Sequence, residues 1–434
     1  MATKLIGSVE VATEASYGSI GTTGVPDGTG VGAYVSMELA DLAQIAPIGD
    51  AIQIDKTGPR CGRYFMPPEP LVPGAGVEPV KRATVTLDAW IRPIGDGTNF
   101  ATYAGMPLYR LLRTRLETLE AAVNLSDAVA AGVPTTTTWK PTTAASFSDG
   151  MLVRRASGSL ASYSAVTHSD AATPLITVSP AFASAPTVAE LVYPMTTLFV
   201  PRCGGDPDTL ETVSLRLTGD TWRAVAYGCY LTGLTITGTG DDSRGWRCSM
   251  TVQCDWVEYV ATATPPVYVQ ADGQVVHSLG AGVVQSVDYQ QSAVTAPAAL
   301  AREYTPCEDQ WTLTLAWTMG QAGCGLSWLG LSKPEAVNTE TTIELTTGDY
   351  EDAYADDYAT GAARNLVIGG SAYDGSAGEG AVIFIGAALL ASDPVKPDVG
   401  QDYLRTMLDY RAGRYGGDDG VTRAANSSFR LGLG

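Results

Sequence analysis

Stretches in which apolar and polar residues alternate one by one are the feature that most restricts how this chain can fold. The clearest lie at residues 80–91, 213–217, 222–231 and 247–259. A period of two places successive side chains on opposite faces of a β-strand, so that one face packs while the other stays polar. Short segments rich in Gly, Asp and Thr separate these stretches. This spacing predicts antiparallel sheets that form a sandwich or barrel.

One segment has helical rather than strand periodicity. Residues 106–123 carry large apolar side chains at steps of three and four, beginning with Leu108. Pro107 suits the first turn of a helix, where its missing N–H costs no hydrogen bond, and Asn124 suits the C-terminal end. We therefore predict a helix over residues 106–123 that packs its apolar face against a sheet.

Residues 132–195 differ from their surroundings because they are rich in Ser, Thr and Ala. Four short strand-like patterns lie within them, at residues 151–155, 162–167, 175–178 and 191–193. We predict a small five-stranded β-barrel that is inserted between the helix and the next strands of the sheet. An exposed position between two elements tolerates such an insertion.

The chain beyond residue 260 repeats the strand-rich pattern. Residues 261–266 read ATATPP and are typical of a linker. Residues 310–319 then resemble residues 83–91, since both place two threonines before a leucine and a tryptophan. We therefore predict a mainly β protein with two tandem antiparallel β-sandwich/barrel domains, a flanking α-helix and a small inserted β-barrel. The predicted boundaries are residues 1–131 plus 196–262 for domain 1, 132–195 for the inserted domain and 263–434 for domain 2.

The charge balance disfavours several classes of protein. The chain has 27 basic and 46 acidic residues, a net charge of −19. DNA phosphate repels such a chain, and no basic cluster favours an anionic membrane surface. The first ten residues lack the apolar core of a secretory signal, and the longest apolar run, residues 381–391, is too short for a bilayer. We expect a soluble protein that binds no membrane.

The sequence predicts no metal site, no cofactor and no enzymatic activity. Its seven cysteines form no Cys-x-x-Cys pair, and the only histidines are His168 and His277. We therefore expect the cysteines to be reduced and buried. No nucleophile elbow or phosphate-binding motif occurs in the sequence.

Acidic residues are concentrated at residues 338–360, where tyrosines also recur every fourth residue from Tyr350. This pattern is compatible with a short helix or with an ordered acidic loop. The spacing of the carboxylates does not match an EF-hand calcium loop. We favour a solvated acidic surface over a calcium site.

Four segments together carry a family resemblance. Residues 228–236 read GCYLTGLTI, and after a glycine turn the following strand ends in Cys254, Asp255 and Trp256. Residues 106–113 place a double leucine just after a proline, residues 381–394 resemble a late strand, and residues 132–195 resemble a barrel decoration. In these features the chain resembles the major tail tube protein of long-tailed (siphovirus-like) bacteriophages, in its tandem-domain form.

The resemblance implies a structural virion protein that polymerises as stacked rings into the phage tail tube. Each ring would hold three chains with pseudo-six-fold symmetry, or six chains. The implied partners are other copies of the chain and the tail-tip, tape-measure and tail-terminator proteins. The resemblance also places the protein in the virion tail, after assembly in the host cytoplasm.

In such a tube, the strands that face the lumen would form a channel for the genome on its way into the host. An acidic lumen would let DNA slide through without specific binding. Asp88, Asp255 and Glu258 are the candidate lumen-lining acids, since they lie on the alternating strands. The Gly-rich terminal segments, residues 2–34 and 414–434, are candidates for arms that become ordered on binding a neighbour.

Two alternatives remain open from the sequence. Another virion β protein, such as a distal-tail or decoration protein, would share the fold without polymerising into a tube. A glycan-binding or hydrolytic β-sandwich protein would instead display aromatic side chains on exposed loops. Trp139, Trp246 and Trp328 are the candidates for such a surface.

Overall fold

A computed structural model confirms the mainly β architecture with antiparallel sheets that the alternation predicts, and it contains a half-barrel. It describes residues 4–14, 17, 34–40, 43–47, 82–94, 102–122, 125–143, 146–155, 163–170, 174–182, 184–201, 211–219, 223–239, 245–260, 283–288, 302–304, 310–320, 333–347, 352–371, 380–394, 406–412, 424 and 427–434. The predicted linker at residues 261–266 lies outside these ranges.

Within these ranges, the regular structure consists of strands, two short α-helices and a 3-10 turn at Tyr103–Gly105. The strands are β1 (Lys4–Ile6), β2 (Ser8–Thr13), β3 (Val35–Ser36), β4 (Ala43–Pro47), β5 (Ala83–Trp90), β6 (Glu117–Leu119), β7 (Asp127–Ala128), β8 (Thr138–Trp139), β9 (Leu152–Arg155), β10 (Tyr163–Asp170), β11 (Leu175–Ser179), β12 (Leu191–Pro194), β13 (Thr196–Phe199), β14 (Val213–Thr218), β15 (Arg223–Thr239), β16 (Arg247–Val260), β17 (Val283–Asp288), β18 (Arg302–Tyr304), β19 (Gln310–Gly320), β20 (Glu335–Thr347), β21 (Arg364–Ser371), β22 (Gly380–Leu390), β23 (Thr406–Ala412) and β24 (Phe429–Leu433). The helices are α1 (Pro107–Leu112) and α2 (Asp352–Thr360).

The same order of strand pairings occurs twice along the chain. In the first series, β2 pairs with β3 and β14, β14 with β15, β15 with β16, β16 with β5, and β5 with β4. In the second, β17 pairs with β18 and β21, β21 with β22, β22 with β23, β23 with β20, and β20 with β19. Each series also carries one helix, between β5 and β14 and between β20 and β21.

A matching irregularity supports this correspondence. The β14–β15 ladder is interrupted between Val213 and Leu215, and the β21–β22 ladder between Arg364 and Leu366. The strand opposite each interruption contains a residue in the left-handed region: Gly228 has φ 60° and Ala387 has φ 50°. Such bulges change the direction of a strand and require a specific backbone conformation. Their occurrence at corresponding positions therefore supports the correspondence between the two series.

Residues 83–91 and 310–319, which resemble each other in sequence, do not occupy corresponding places in the two series of strand pairings. Residues 83–91 contain β5, whose counterpart in the pairing order is β20, whereas residues 310–319 lie on β19, the counterpart of β4. The match was wrong because threonines alternating with apolar residues produce the same local pattern on every strand with one exposed face.

The predicted long helix was also wrong in its extent. It begins at Pro107 as expected but ends at Leu112, and the chain then enters strand β6, which pairs with β13. The Thr114 hydroxyl donates a hydrogen bond to the Leu111 carbonyl, 2.7 Å away. Arg115 is buried and donates to the carbonyl of Leu231. The Thr114 hydroxyl also accepts a hydrogen bond from the Leu231 N–H, 3.1 Å away. These contacts of Thr114 and Arg115 with Leu231 of β15 draw the chain out of the helix. Val123 and Asn124 lie outside the described residues.

The Ser/Thr-rich segment forms a separate sheet of six strands, not five, in the order β7-β12-β9-β10-β11-β8. A bridge between Val129, just after β7, and Pro141, just after β8, joins the two ends of the sheet and closes it into a small barrel. Its interior holds a small apolar cluster that includes Trp139 and Phe182. The sixth strand, β7, precedes the Ser/Thr-rich segment, and for that reason composition did not reveal it.

The outside of this barrel packs against the second series. Tyr163 of the barrel lies in an apolar cluster with Val382 and Phe384 of β22. Its hydroxyl donates a hydrogen bond to the carbonyl of Gly370, 2.6 Å away. A Cβ atom at Gly369 would lie 2.3 Å from the Tyr163 ring, so only glycine leaves room for it there.

Both termini contribute strands within the chain, which corrects part of the prediction that they are assembly arms. At the C-terminus, β24 pairs with β13 and β22. At the N-terminus, β2 pairs with β14. The remaining terminal residues, including 18–33 and 414–423, lie outside the described ranges. The predicted short helix in the acidic segment is α2, where Asp357 forms a buried ion pair with Arg364.

Candidate functional site: a polar sheet face

Six adjacent strands form one continuous sheet surface that runs through both series. The order is β5-β16-β15-β19-β20-β23, and the β15–β19 pairing joins the two series over seven residue pairs. One face of this sheet is buried, as the alternation predicts. A row of opposite residues on that face consists of Leu87, Met250, Leu234, Leu315 and Thr341, all almost inaccessible to solvent.

The other face is polar, and we call it the polar face. Directly opposite residues on neighbouring strands lie on the same side of a sheet, so the register defines its members. Three rows cross it, namely Thr86, Thr251, Gly233, Ala316 and Glu340; Asp88, Ser249, Thr235, Thr314, Thr342 and Arg411; and Trp90, Arg247, Thr237, Thr312, Glu344 and Asp409, of which Trp90 is buried.

Threonine is the dominant side chain of the polar face. Its β-branched carbon suits an extended backbone, while its hydroxyl remains in contact with water. The hydroxyl carries no charge, so these rows offer hydrogen bonds without an electrostatic anchor for phosphate. The sequence reasoning missed these residues because it considered only acids. The alternating threonines of segments such as LTITGT at residues 234–239 were the available signal.

The charged residues of the polar face are mainly acidic. It carries four acids, Asp88, Glu340, Glu344 and Asp409, against two bases, Arg247 and Arg411. Arg247 pairs with Asp88, and the Arg411 Nη2 atom lies 2.6 Å from the Glu340 Oε1 atom. Both bases are therefore engaged with carboxylates on the same face.

Glu344 and Asp409 face each other directly across β20 and β23. Like charges at opposite positions destabilise a sheet. The polar face thus keeps two acids side by side at a cost in stability, and its net charge is negative.

Of the three predicted lumen-lining acids, the structure places Asp88 on the polar face. Its side chain is partly exposed and forms the ion pair with Arg247. Glu258 lies opposite Val225 in the β15–β16 ladder, and its side chain is outside the described part of the molecule.

Asp255 is completely buried in the chain as folded here, so its carboxylate does not reach a solvent-exposed surface. The Tyr17 hydroxyl donates a hydrogen bond to its carboxylate, and the Nε atom of Arg82 lies 3.4 Å from its Oδ1 atom. Arg115 is buried nearby, with its guanidinium 4.5 Å from the centre of the Tyr230 ring. Burial lowers the pKa of Arg115 to about 10. The carboxylate therefore helps to hold the chain at Tyr17 against β16.

The aromatic candidates for a glycan surface are not exposed where they are described. Trp139 is buried inside the inserted barrel, and Trp246 is buried against Trp311 with ring centres 5.1 Å apart. Trp328 lies outside the described residues. The first two therefore do not provide the exposed aromatic surface that the glycan-binding alternative requires, because both pack into apolar cores.

The cysteines that the structure describes are free and buried, as predicted: Cys229, Cys248 and Cys254. Burial raises the pKa of both Cys229 and Cys248 above the ordinary thiol value. Within the described ranges, no group of three or more His, Cys, Asp or Glu side chains is arranged to hold a metal ion. None of the described helices is both long and apolar enough to cross a bilayer.

Comparison of the chain with protein-family models gives no match, and comparison with curated proteins gives no significant similarity.

Proposed function

We propose that this protein is a structural virion protein that polymerises as stacked rings into the tail tube of a long-tailed bacteriophage. In this proposal the two series of strands are tandem tail-tube domains, and the polar face lines the channel through which the genome passes. The protein acts by assembly and surface chemistry, without catalysis and without a cofactor.

The polar face is the observation that carries this proposal. It extends over six strands from both series, with a buried apolar face behind it. A ring of copies would place these faces side by side around a hole. Because each chain supplies two series, three chains give a pseudo-six-fold ring, and six chains are the other stoichiometry that the repeat allows.

The chemistry of the polar face suits a passage for DNA. Neutral hydroxyls and paired arginines leave few free positive charges to hold phosphate, and the excess of acids repels it weakly. DNA would therefore move along the face without being retained. The tail-tip, tape-measure and tail-terminator proteins are the proposed partners at the ends and inside of the tube.

Substitution of a threonine on the polar face by lysine tests the channel role. In assembled tubes, Thr314→Lys places one new positive charge per chain on the lining. We expect added DNA to be retained by the variant at low salt and released at high salt, since counterion release makes such binding salt-dependent.

Val133→Lys is the matched control, because Val133 is 93% exposed on the inserted barrel and not on the polar face. DNA retention is measured by co-sedimentation with assembled tubes. Equal retention by both variants would contradict a channel lined by the polar face.

A distal-tail or decoration protein remains the second candidate, because it would share the same sheet. Such a protein forms a single ring or stays on a surface. Electron microscopy of the purified chain separates the two, since only the tube protein stacks its rings into long particles. The buried positions of Trp139 and Trp246 remove two of the three tryptophans that would support the glycan-binding alternative, and the third, Trp328, lies outside the described residues.

A further inference from the structure

The pairing of β15 with β19 connects the two series and shows how two such units are joined edge to edge. Strand β19 has β20 on one edge and β15 on the other. The β15 edge contributes seven opposite pairs, from Gly233 with Ala316 to Thr239 with Gln310. This edge of β19 is therefore a complete strand-to-strand joint within one chain.

Strand β4 holds the place of β19 in the first series, but its corresponding edge is covered differently. It has β5 on one side, as β19 has β20. On the other side lies β1, which contributes only three opposite pairs: Lys4 with Ile45, Leu5 with Gln44 and Ile6 with Ala43. A three-residue strand from the N-terminus thus covers the edge that carries a seven-pair joint in the second series.

Within the part of the chain that the structure describes, the opposite end of the same sheet is less covered. In β16, Cys248, Ser249 and Met250 each face both β5 and β15. In its counterpart β23, residues 406–408 have β20 as their strand neighbour, and among the described strands none pairs with their other edge. Leu389 and Met407, close to this edge, are exposed apolar side chains, at 38% and 46%.

We propose that β1 is a removable cover on the edge of β4, and that the open end of the sheet in a second copy of this chain, at β22 and β23, replaces it when rings close. This inference rests on the proposed function and adds to it a mechanism that keeps free chains apart. The partner is a second copy because, among the described pairings, the joint between β15 and β19 supplies the pattern for that edge.

The character of β1 fits a temporary cover. Exposed strand edges pair readily with other chains, and folded proteins protect them with very short strands or with lysine. Strand β1 is three residues long and includes Lys4. Gly7 separates it from β2, which is held along six residues of β14. Strand β1 can therefore leave β4 while β2 stays paired.

Locking β1 in place tests the inference. Leu5 and Gln44 are opposite residues, and opposite Cα atoms of an antiparallel pair lie within the range that a disulfide spans. The full chain carrying Leu5→Cys and Gln44→Cys is oxidised, and the cross-link is verified by peptide mass spectrometry. Ring formation is then followed by sedimentation and negative-stain electron microscopy, before and after reduction.

The matched control carries Ala128→Cys and Leu191→Cys, which are opposite residues on β7 and β12 of the inserted barrel and lie away from both the polar face and β1. We expect the oxidised β1 lock to raise the concentration for assembly by about tenfold or more, since a linked strand cannot give up the edge. Reduction is expected to restore assembly, and the control is expected to assemble in both states.

The outcomes distinguish this inference from the proposed function. Equal assembly of the locked and reduced chains would overturn the role of β1 and leave the tube proposal standing. A wild-type chain that forms no rings at any concentration would contradict the proposed function itself, and the inference with it.

Discussion

The joint between the two series depends on one glycine, and replacing it gives a quantitative test of the fold. Gly238 of β15 lies directly opposite Trp311 of β19, and the indole lies over it. An aromatic side chain above a glycine on the neighbouring strand is a recognised way to stabilise such a site. A Cβ atom at Gly238 would lie 2.5 Å from the Trp311 Nε1 atom and 2.6 Å from Cε2.

The indole has little freedom to move away from that atom. Trp311 is fully buried and meets Trp246 edge to face with ring centres 5.1 Å apart. Overpacking of a tight core costs about 1–3 kcal/mol, and the rigid neighbour places Gly238→Ala at about 2–3 kcal/mol. The loss is measured as the free energy of unfolding in urea, followed by circular dichroism.

Gly233 on the same strand provides the control. A Cβ atom there would lie 3.7 Å from the Thr251 side chain, an ordinary contact. Gly233→Ala is therefore expected to change stability by no more than about 0.5 kcal/mol, or to stabilise slightly. In a Trp311→Leu background, Gly238→Ala should cost less than about 0.5 kcal/mol, which makes the coupling about 2 kcal/mol. Equal effects of the two glycine substitutions, or no coupling to Trp311, would refute this packing argument.

Three further predictions concern the barrel contact, the acidic pair and alkaline pH. Gly369→Ala should displace the Tyr163 ring and increase limited proteolysis of the inserted barrel, whereas Gly132→Ala, with no atom within 4 Å of its Cβ, should not. Glu344→Gln with Asp409→Asn should raise the free energy of unfolding by about 0.2–1 kcal/mol at low salt and less at high salt; a loss of stability would contradict the repulsion. Burial raises the pKa of Tyr163 to about 12, above its ordinary value of 10.0, so ionisation favours the unfolded chain as pH rises between these values. Unfolding curves should show a loss about 2 kcal/mol larger in wild type than in Tyr163→Phe by about pH 12, and parallel losses would contradict it.

The alternation of apolar and polar residues was enough to predict the fold class and most individual strands of the first half. It works because each strand of the sheet has one buried and one exposed face, as Leu87 and Asp88 show on β5. The start of the first helix was also predictable, because the cue at Pro107 is local.

The features that the sequence did not predict depend on distant partners. The helix ends early because Arg115 binds the carbonyl of Leu231, 116 positions away. Asp255 and Asp88 both lie on strands with an alternating pattern, so the sequence does not distinguish them. In the structure, Tyr17 and Arg82 contact Asp255, which is buried, and not Asp88. The repeat was predicted from a resemblance between two strands, β5 and β19, that are not counterparts. The order in which strands pair depends on several distant segments, so it cannot be inferred from any one of them.

The sequence was enough to predict that a polar sheet face exists, but not which residues form it. Polar positions at every second residue indicate a solvated sheet face, and Asp88 was correctly placed on an alternating strand. The alignment of threonines from both series into shared rows depends on the register of five pairings between strands. Register is set by the packed face and by turns, and a shift of one residue would exchange the two faces.

Negative-stain electron microscopy of the purified chain over a series of concentrations tests the central claim most directly. The tube proposal predicts rings with a central hole that stack into tubes as concentration rises, with a rotational symmetry that distinguishes three chains from six. Compact single particles at every concentration, with no rings or stacks, would contradict it.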